Sequence, residues 1–351
     1  MALVGQGFMG RAHSNAYRQV RHFFDVPYEI DCRVLCGRDR PTLERTAAVW
    51  GWTDIATDWR AVIDRSDIDL VDIAVPNPLH APIAIAAAQA GKIVLCEKPL
   101  ATSAEEGARM VDAARAVPTG VWFNYQRVPS VAFARQLIQD GRLGQVFHYR
   151  ATYLQQWGND PARVGTWKVQ KAGAGSGPLG DLASHLVDTA MWLNGPITEV
   201  SALLHTFTPG RDVDDAALFL ARFANGSLGT FEATRYAIGC RNRNAFEIHG
   251  ARGMLGFNLE DMNRLQFVDA TEPAELQGPR NLFTNNPYWK PGHSIGYEHT
   301  FTSTLADFLN SLAHGEPFHP NFEDAQRTQL VLDAVERSAT CGGTATTPAT
   351  A

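Results

Sequence analysis

The sequence has few cysteines and no long hydrophobic run, and its first residues lack the pattern of a secretory leader. Its five cysteines form no short-spaced pairs, which argues against a disulfide scaffold and a zinc knuckle. No apolar run approaches the roughly 20 residues of a membrane-spanning helix. The first residues show no charged region, apolar region and cleavage site in succession, so we do not expect secretion. These absences predict a cytoplasmic protein that does not enter a membrane and whose thiols are reduced.

Basic residues are not in excess, and the histidines are not grouped. The chain carries 31 Lys and Arg against 37 Asp and Glu, a formal net charge of −6. A nucleic-acid-binding domain would show clustered basic residues instead. The 11 histidines lack a metal-binding spacing such as H-E-x-x-H, and no G-x-S-x-G motif marks a serine nucleophile. We therefore expect neither a nucleic-acid partner nor a metal site.

What the chain does have is a glycine motif at its start. A short apolar segment leads into Gly5, Gly7 and Gly10 of a G-x-G-x-x-G pattern. In a dinucleotide site the first glycine permits the tight turn and the second lets a pyrophosphate approach the backbone. The third lets the following helix pack closely on the sheet. Only four residues precede Gly5, fewer than in a typical strand, which favours a natural strand that begins further upstream.

The first 125 residues alternate strand-like and helix-like segments. Short apolar runs separated by helices are typical of parallel strands that are buried on both faces. We predict a doubly wound parallel sheet, a Rossmann domain over residues 1–125. The predicted strands are 29–36, 70–75, 92–96 and 121–125, and the predicted helices are 11–20, 41–50, 58–64 and 82–90.

After residue 130 the pattern changes to an α+β domain. A long strand (146–154), a glycine-rich loop and a helix (179–193) precede several consecutive strands between 197 and 268, which predict a largely antiparallel sheet. Residues 270–297 are interpreted as a long loop, and two helices (299–313 and 322–339) follow. The predicted second domain spans 126–340, and the small polar residues 341–351 are predicted to be a disordered tail.

Two groups of residues are candidates for catalysis. Lys98 follows a predicted parallel strand, and ligands of open α/β sheets bind outside the carboxyl ends of the strands. Asp181 and His185 are four residues apart on one helix face, after a glycine-rich approach that suits a close neighbour. His185 is a natural proton acceptor near neutral pH. A solvated helix face would show the same spacing, so both interpretations stay open.

The end of the second strand bears on the choice of dinucleotide. An NAD site places an acid here for the ribose 2′-hydroxyl, whereas an NADP site has a small residue and an Arg for the 2′-phosphate. Gly37 and Arg38 occupy these positions, which favours NADP slightly over NAD. Asp39 could still serve a ribose hydroxyl.

Three aromatic residues lie between the long strand and the glycine-rich loop. Tyr153, Trp157 and Trp167 fit a hydrophobic core and a wall on which a sugar ring stacks equally well. The sequence does not decide between these two interpretations.

Several segments together resemble the Gfo/Idh/MocA family of dehydrogenases. They are GQGFMGRAHSNAY, AVPNPLHAPIAIAAAQAGKIVLCEKPLA, FNYQRVPSVA and GSGPLGDLASHLVD. TYLQQW, RFANGSLGTFEATR and FEIHG look most like its levoglucosan dehydrogenase branch, and inositol dehydrogenases belong to the same family. The resemblance implies a second domain with a large open sheet and assembly into homodimers or homotetramers.

The resemblance also implies roles for individual residues. Lys98 would lie beside the nicotinamide and bind the reacting hydroxyl, Asp181 would orient the site, and His185 would take the hydroxyl proton. The implied cofactor residues are Gly5, Gly7, Phe8, Met9, Gly10, Pro76, Asn77, His80 and Glu97. Tyr125 and Arg127 match a substrate-side motif.

These observations predict an NAD(P)-dependent dehydrogenase. It would oxidise a secondary alcohol of a sugar, anhydrosugar, glycoside or inositol, a small-molecule partner. Two alternatives are a non-catalytic dinucleotide sensor and a relative that retains its cofactor and cleaves glycosides.

Overall fold

The computed structural model describes residues 1–160 and 166–349, which form two compact units. The first unit contains Met1–Asn124 and Gly296–Gln329, and the second contains Tyr125–Ile295 and Leu330–Ala351. No helix among the described residues is long and apolar enough to span a membrane.

The first unit is built on a six-stranded parallel sheet. Its elements are β1 (Ala2–Val4), α1 (Phe8–Phe23), β2 (Val34–Cys36), α2 (Arg40–Trp50), β3 (Asp54–Ala56), α3 (Trp59–Ile63), β4 (Leu70–Ile73), α4 (His80–Gln89), β5 (Ile93–Cys96), α5 (Ala104–Ala113) and β6 (Thr119–Val121). The strand order is β3-β2-β1-β4-β5-β6, the doubly wound order. Leu3 pairs with Leu35 on one side and Asp72 on the other. The predicted Rossmann sheet is confirmed.

The second unit carries an eight-stranded sheet. Its elements are α6 (Pro129–Gln139), β7 (Val146–Leu154), α7 (Lys171–Ala174), α8 (Ser184–Asn194), β8 (Ile197–His205), β9 (Ala216–Phe223), β10 (Leu228–Thr234), β11 (Arg243–Gly250), β12 (Gly253–Asn258), β13 (Arg264–Asp269) and β14 (Arg280–Phe283). The order is β14-β13-β12-β11-β7-β10-β9-β8. Only the pair of β7 and β10 is parallel among its described neighbours, so the predicted, mostly antiparallel sheet is confirmed.

Two final helices, α9 (Tyr297–His314) and α10 (Phe322–Thr340), close the chain. The sequence assigned both to the second domain, whereas the structure places Gly296–Gln329 in the first unit. The reason is hydrophobic: Phe301 and Leu305 of α9 are buried in the same cluster as Leu3 and Tyr17. The sequence pattern shows that α9 is amphipathic but not which sheet covers its apolar face.

Several predicted segments have different boundaries. The predicted strand 29–36 shortens to β2, and the predicted strand 121–125 ends at Val121, so that Tyr125 lies in the 3₁₀ turn Asn124–Arg127. The predicted loop 270–297 contains β14, which pairs with β13. In the predicted disordered tail, Thr346 instead pairs with Val200 of β8.

Candidate active site

The predicted cofactor residues of the first unit share one edge of its sheet. Gly5 directly follows β1, Gly37 follows β2, and Glu97 follows β5, while Pro76 comes three residues after β4. Because parallel strands end at the same edge, the fold brings these segments together where open α/β sheets bind ligands.

The loop between β1 and α1 is shaped by its glycines. A Cβ on Gly5 would collide with the Ala74 carbonyl oxygen, and one on Gly10 would collide with the Gly5 carbonyl oxygen. A Cβ on Gly7 would meet nothing within 4 Å. Gly5 and Gly10 therefore serve close packing, whereas Gly7 faces open space.

The segment that follows β2 is held by a glutamine side chain. The Gln6 amide nitrogen donates to the Asp39 carbonyl, and the Asp39 N–H donates to Gln6 Oε1. A Cβ on Gly37 would collide with that same Gln6 oxygen. The Asp39 carboxylate caps α2 by accepting the Thr42 N–H at 3.0 Å, and its bonds to Thr42 lower the pKa of Asp39. Arg38 is exposed.

Two predicted residues of this edge are buried. Both ring nitrogens of His80 contact backbone carbonyls, Pro99 at 2.9 Å and Val75 at 3.0 Å, and burial lowers the pKa of His80. Glu97 Oε2 accepts the backbone N–H of Lys98 at 3.0 Å. His80 thus ties together the loops that follow β4 and β5, and contact of its ring with a cofactor stays a prediction.

In the second unit, Asp181 lies beside two positive charges. It belongs to the π-helical turn Leu179–Ala183, which runs directly into α8. Its Oδ2 accepts from Arg235 at 2.8 Å and lies 3.4 Å from the Lys168 ammonium. The Arg235 guanidinium also donates to the Lys168 carbonyl and stacks on Trp157, 4.5 Å from the ring centroid.

His185 stands in the first turn of α8 against two tyrosines. Its ring centroid lies 4.5 Å from that of Tyr125 and 6.0 Å from that of Tyr153. The two tyrosine hydroxyls are 3.1 Å apart, and that of Tyr153 donates to Asn242 at 2.8 Å. His185 is buried, so the interpretation as a solvated helix face does not hold for His185, whereas Asp181 is partly exposed.

The glycine-rich approach to α8 has a structural explanation. A Cβ on Gly177 would collide with the Asp214 carbonyl oxygen, and one on Gly180 with the Ser176 hydroxyl. The Asp214 carboxylate accepts the N–H groups of Gly177 and Leu179 at 2.6 and 2.8 Å, and burial raises the pKa of Asp214. The close neighbour that the sequence pattern predicted is therefore the chain itself.

The aromatic residues of the predicted sugar wall have different surroundings. Tyr153 is buried, Trp157 is half-buried beneath Arg235, and Trp167 is 40% exposed. Arg127, the other substrate-side candidate, donates to Gln126, whose amide donates to both oxygens of Asp188. Tyr153 thus packs inside and Trp167 is open to solvent, and stacking of a sugar ring on these aromatic residues stays a prediction.

Known proteins resemble this chain over its whole length. Residues 1–125 match the oxidoreductase family with an NAD-binding Rossmann fold, and residues 131–256 match the GFO/IDH/MocA C-terminal domain. Levoglucosan dehydrogenase of Pseudarthrobacter phenanthrenivorans is 40% identical over 97% of this chain and 95% of its own.

Solved structures also resemble this chain over nearly its whole length. An oxidoreductase domain protein from Kribbella flavida has a TM-score of 0.95 and 44% identity over 99% of this chain and 98% of its own. A levoglucosan dehydrogenase in complex with NADH and levoglucosan has a TM-score of 0.96 and 40% identity over 99% of each chain.

This chain belongs to the GFO/IDH/MocA family of oxidoreductases. Its first unit is that family's NAD-binding Rossmann domain, and the predicted family resemblance is confirmed.

The residues of this GFO/IDH/MocA member fit a nicotinamide dinucleotide. Gly7 leaves room beside the backbone, and α1 begins there without a side-chain cap and without an acidic residue in its first turn. The first N–H groups of a helix and the positive end of its dipole favour phosphate. The pyrophosphate would be held by the backbone from Gly7 to Gly10.

Sequence reasoning missed five residues of these clusters. In the first unit they are His13, whose Nε2 lies 2.9 Å from Glu97 Oε1, and Asp72, which lies 2.9 Å from the other ring nitrogen of His13. In the second unit they are Lys168, Arg235 and Asn242. Asp72 did give a signal, since it is a lone acid inside the apolar strand LVDI. Arg235 directly follows the end of β10, but its partner Asp181 is 54 residues away, so no local spacing reveals the pair.

Proposed function

We propose that this chain is an NAD(P)-dependent dehydrogenase that oxidises a secondary alcohol of a sugar, anhydrosugar, glycoside or inositol. The observation that carries the proposal is His185, a buried imidazole enclosed by Tyr125 and Tyr153 in an oxidoreductase of this family. The 40% identity to levoglucosan dehydrogenase favours an anhydrosugar within this substrate class.

Each candidate residue has a proposed part in the reaction. When bound, the nicotinamide cofactor supplies the hydride acceptor. An imidazole nitrogen of His185 takes the hydroxyl proton, and Lys98 donates a hydrogen bond to the reacting oxygen. Asp181 is held by Arg235 and Lys168, and it accepts hydrogen bonds from the substrate. Tyr125, Tyr153, Trp157, Trp167 and Arg127 line the substrate side.

The first test measures formation of reduced nicotinamide. NAD and NADP are each combined with levoglucosan, aldoses, inositols and glycosides. We expect turnover with at least one member, and we expect Lys98→Met to lower that turnover by roughly 10³-fold or more while cofactor affinity changes little.

A matched variant controls this test. Lys92→Met removes the other lysine that flanks β5, whose ammonium donates to the carbonyls of Arg65 and Ile68, and it should keep wild-type turnover. If the wild-type protein binds the cofactor but oxidises no member of the panel, the result would favour the non-catalytic dinucleotide sensor. If the cofactor stays tightly bound through purification and glycosides are cleaved, the result would favour the relative that retains its cofactor and cleaves glycosides.

We propose that NADP is slightly favoured over NAD and that Arg38 supplies affinity for the 2′-phosphate. Position 37 carries no acid that would repel this phosphate, and no described residue forms a hydrogen bond or ion pair with Arg38. Arg38→Ala should lower kcat/KM with NADP by about 10-fold and leave kcat/KM with NAD unchanged, since one charge-assisted phosphate contact is lost. The matched control is Arg40→Ala, which removes a neighbouring guanidinium that pairs with Glu44. Equal losses with both cofactors would remove Arg38 from cofactor selection.

A homodimer or homotetramer is also proposed. Leu203, Leu218 and Leu220 are exposed on one face of β8 and β9, and Leu203 lies opposite Leu218 in the register. An apolar face of this kind suits a subunit interface, and light scattering of the purified chain would measure the assembly. A cytoplasmic location stays a prediction.

A further inference from the structure

The interior of the first unit holds an ion cluster that the proposed reaction does not use. His13 of α1 is completely buried, with Nδ1 2.9 Å from Asp72 Oδ2 and Nε2 2.9 Å from Glu97 Oε1. Ionised carboxylates only accept hydrogen bonds, so both ring nitrogens must carry protons. His13 is thus an imidazolium between two carboxylates.

The cluster is closed on the side of Asp72. Asp72 Oδ2 also accepts from the Tyr17 hydroxyl and Oδ1 from the Trp122 indole, each at 2.9 Å. The His13 ring stacks on Trp122 at 4.2 Å between centroids. Because Asp72 of β4 is fixed by three donors, two on α1 and one on the segment after β6, it is a rigid anchor for the imidazolium.

At its other end the cluster contacts the backbone of Lys98, the predicted catalytic lysine. Glu97 Oε1 accepts from His13, and Glu97 Oε2 accepts the backbone N–H of Lys98 at 3.0 Å. A buried carboxylate keeps its orientation when both oxygens are bonded, and removal of one partner leaves an uncompensated charge that must turn or take up a proton.

We propose that His13 is a positioning residue for Lys98, because its bridge from Asp72 to Glu97 fixes the carboxylate that binds the Lys98 backbone. This inference rests on the proposed function, in which Lys98 contacts the reacting hydroxyl. Burial alone would lower the pKa of His13, but Asp72 and Glu97 outweigh it and raise the pKa to about 9, so the bridge is intact at neutral pH.

The test compares His13→Gln with Lys92→Met in the full-length enzyme. Glutamine can donate from only one nitrogen, so one carboxylate loses its partner, whereas Lys92→Met removes two hydrogen bonds at the opposite end of β5. Turnover per cofactor-binding site is measured, with the stoichiometry and affinity for NAD taken from calorimetric titration. We expect His13→Gln to lower kcat per site by roughly 10- to 100-fold, the size of effect that a displacement of about 1 Å produces.

A deuterium isotope effect distinguishes positioning from stability. With substrate deuterated at the reacting carbon, the isotope effect on kcat should be larger in His13→Gln than in wild type and unchanged in Lys92→Met, because only misplacement of Lys98 slows the chemical step. A lower number of active sites with unchanged kcat per site and an unchanged isotope effect would overturn the proposal.

A second variant covers the case in which His13→Gln does not fold. Asp72→Asn keeps the shape of the anchor and leaves Glu97 untouched, and it should lower kcat per site by a smaller factor in the same direction. Wild-type kcat in this variant would contradict the bridge.

Lys98→Met is assayed in parallel to separate the two proposals. If Lys98→Met keeps full turnover, the proposed catalytic role of Lys98 fails. If Lys98→Met loses turnover while His13→Gln keeps full kcat, only the positioning role of His13 fails.

Discussion

The two units each hold a carboxylate beside a cation, but they expose it to solvent very differently. In the first unit the side chains of His13 and Asp72 are 0% exposed. In the second unit the side chain of Asp181 is 24% exposed and that of Lys168 is 44% exposed. A sealed cluster must satisfy its charges within the protein, so it can fix a neighbouring group but cannot meet a substrate.

The half-exposed cluster has the opposite property. Asp181 is oriented by the buried guanidinium of Arg235 and still reaches solvent, so a sugar hydroxyl can approach it. His185 lies in the first turn of α8, Tyr153 lies on β7, and Tyr125 lies in the 3₁₀ turn that precedes α6. The comparison therefore supports the two proposals that the cluster around His13 positions Lys98 and that the cluster around Asp181 contacts the substrate.

The largest expected effect is that of a substitution at His185, beside the cluster that reaches solvent. His185→Ala should lower kcat by roughly 10²–10⁴-fold, the usual contribution of a general base, with the fold intact. Turnover with the best sugar of the panel measures this effect. His314→Ala, which removes an exposed histidine at the end of α9, is the matched control. Full activity of His185→Ala would exclude the imidazole as proton acceptor.

Substitutions of Arg235 test whether the orientation of the Asp181 carboxylate affects kcat/KM. Arg235→Met removes the buried guanidinium that binds Asp181 and stacks on Trp157, and kcat/KM should fall about 10²-fold because the carboxylate is displaced. Arg235→Lys keeps the charge but not the planar fork, so its loss should be intermediate. A fall in thermal stability with unchanged kcat/KM would reduce Arg235 to a structural residue.

The sequence was informative wherever a function depends on local order. The glycines before α1, the lysine after β5 and the pair Asp181 and His185 are each defined by a few neighbouring residues, so their segments could be recognised. The parallel Rossmann sheet also followed from the alternation of strands and helices, since short apolar runs separated by helices are typical of parallel strands that are buried on both faces.

The clusters themselves could not be found in this way. His13 contacts Asp72 and Glu97, which are 59 and 84 residues away in the sequence. The sequence around a single histidine in an amphipathic helix does not indicate which distant residues it contacts. The same holds for α9, whose apolar face packs against α1 nearly 300 residues earlier. Such contacts depend on which elements the sheet brings together, and this is a property of the tertiary fold.

The sealed cluster also predicts how stability depends on pH. The pKa of His13 is about 9 in the folded protein, above its ordinary value of 6.5. The stabilisation is therefore complete below pH 6.5 and is lost as the pH rises through about 9. The groups that face the ring are Asp72, Glu97, Tyr17, Trp122 and Phe301, and the pKa of Tyr17 is raised well above 10 by burial.

His13 therefore loses its positive charge in this pH range. We expect the Tm of the wild-type protein to fall by a few degrees more than that of His13→Gln between pH 7 and pH 9.5, roughly the effect of 1–2 kcal/mol in a chain of this size. Differential scanning calorimetry at several pH values measures both proteins. Parallel curves would mean that the ring is already neutral at pH 7, and the distinction between a sealed ionic cluster and an open one would then no longer hold.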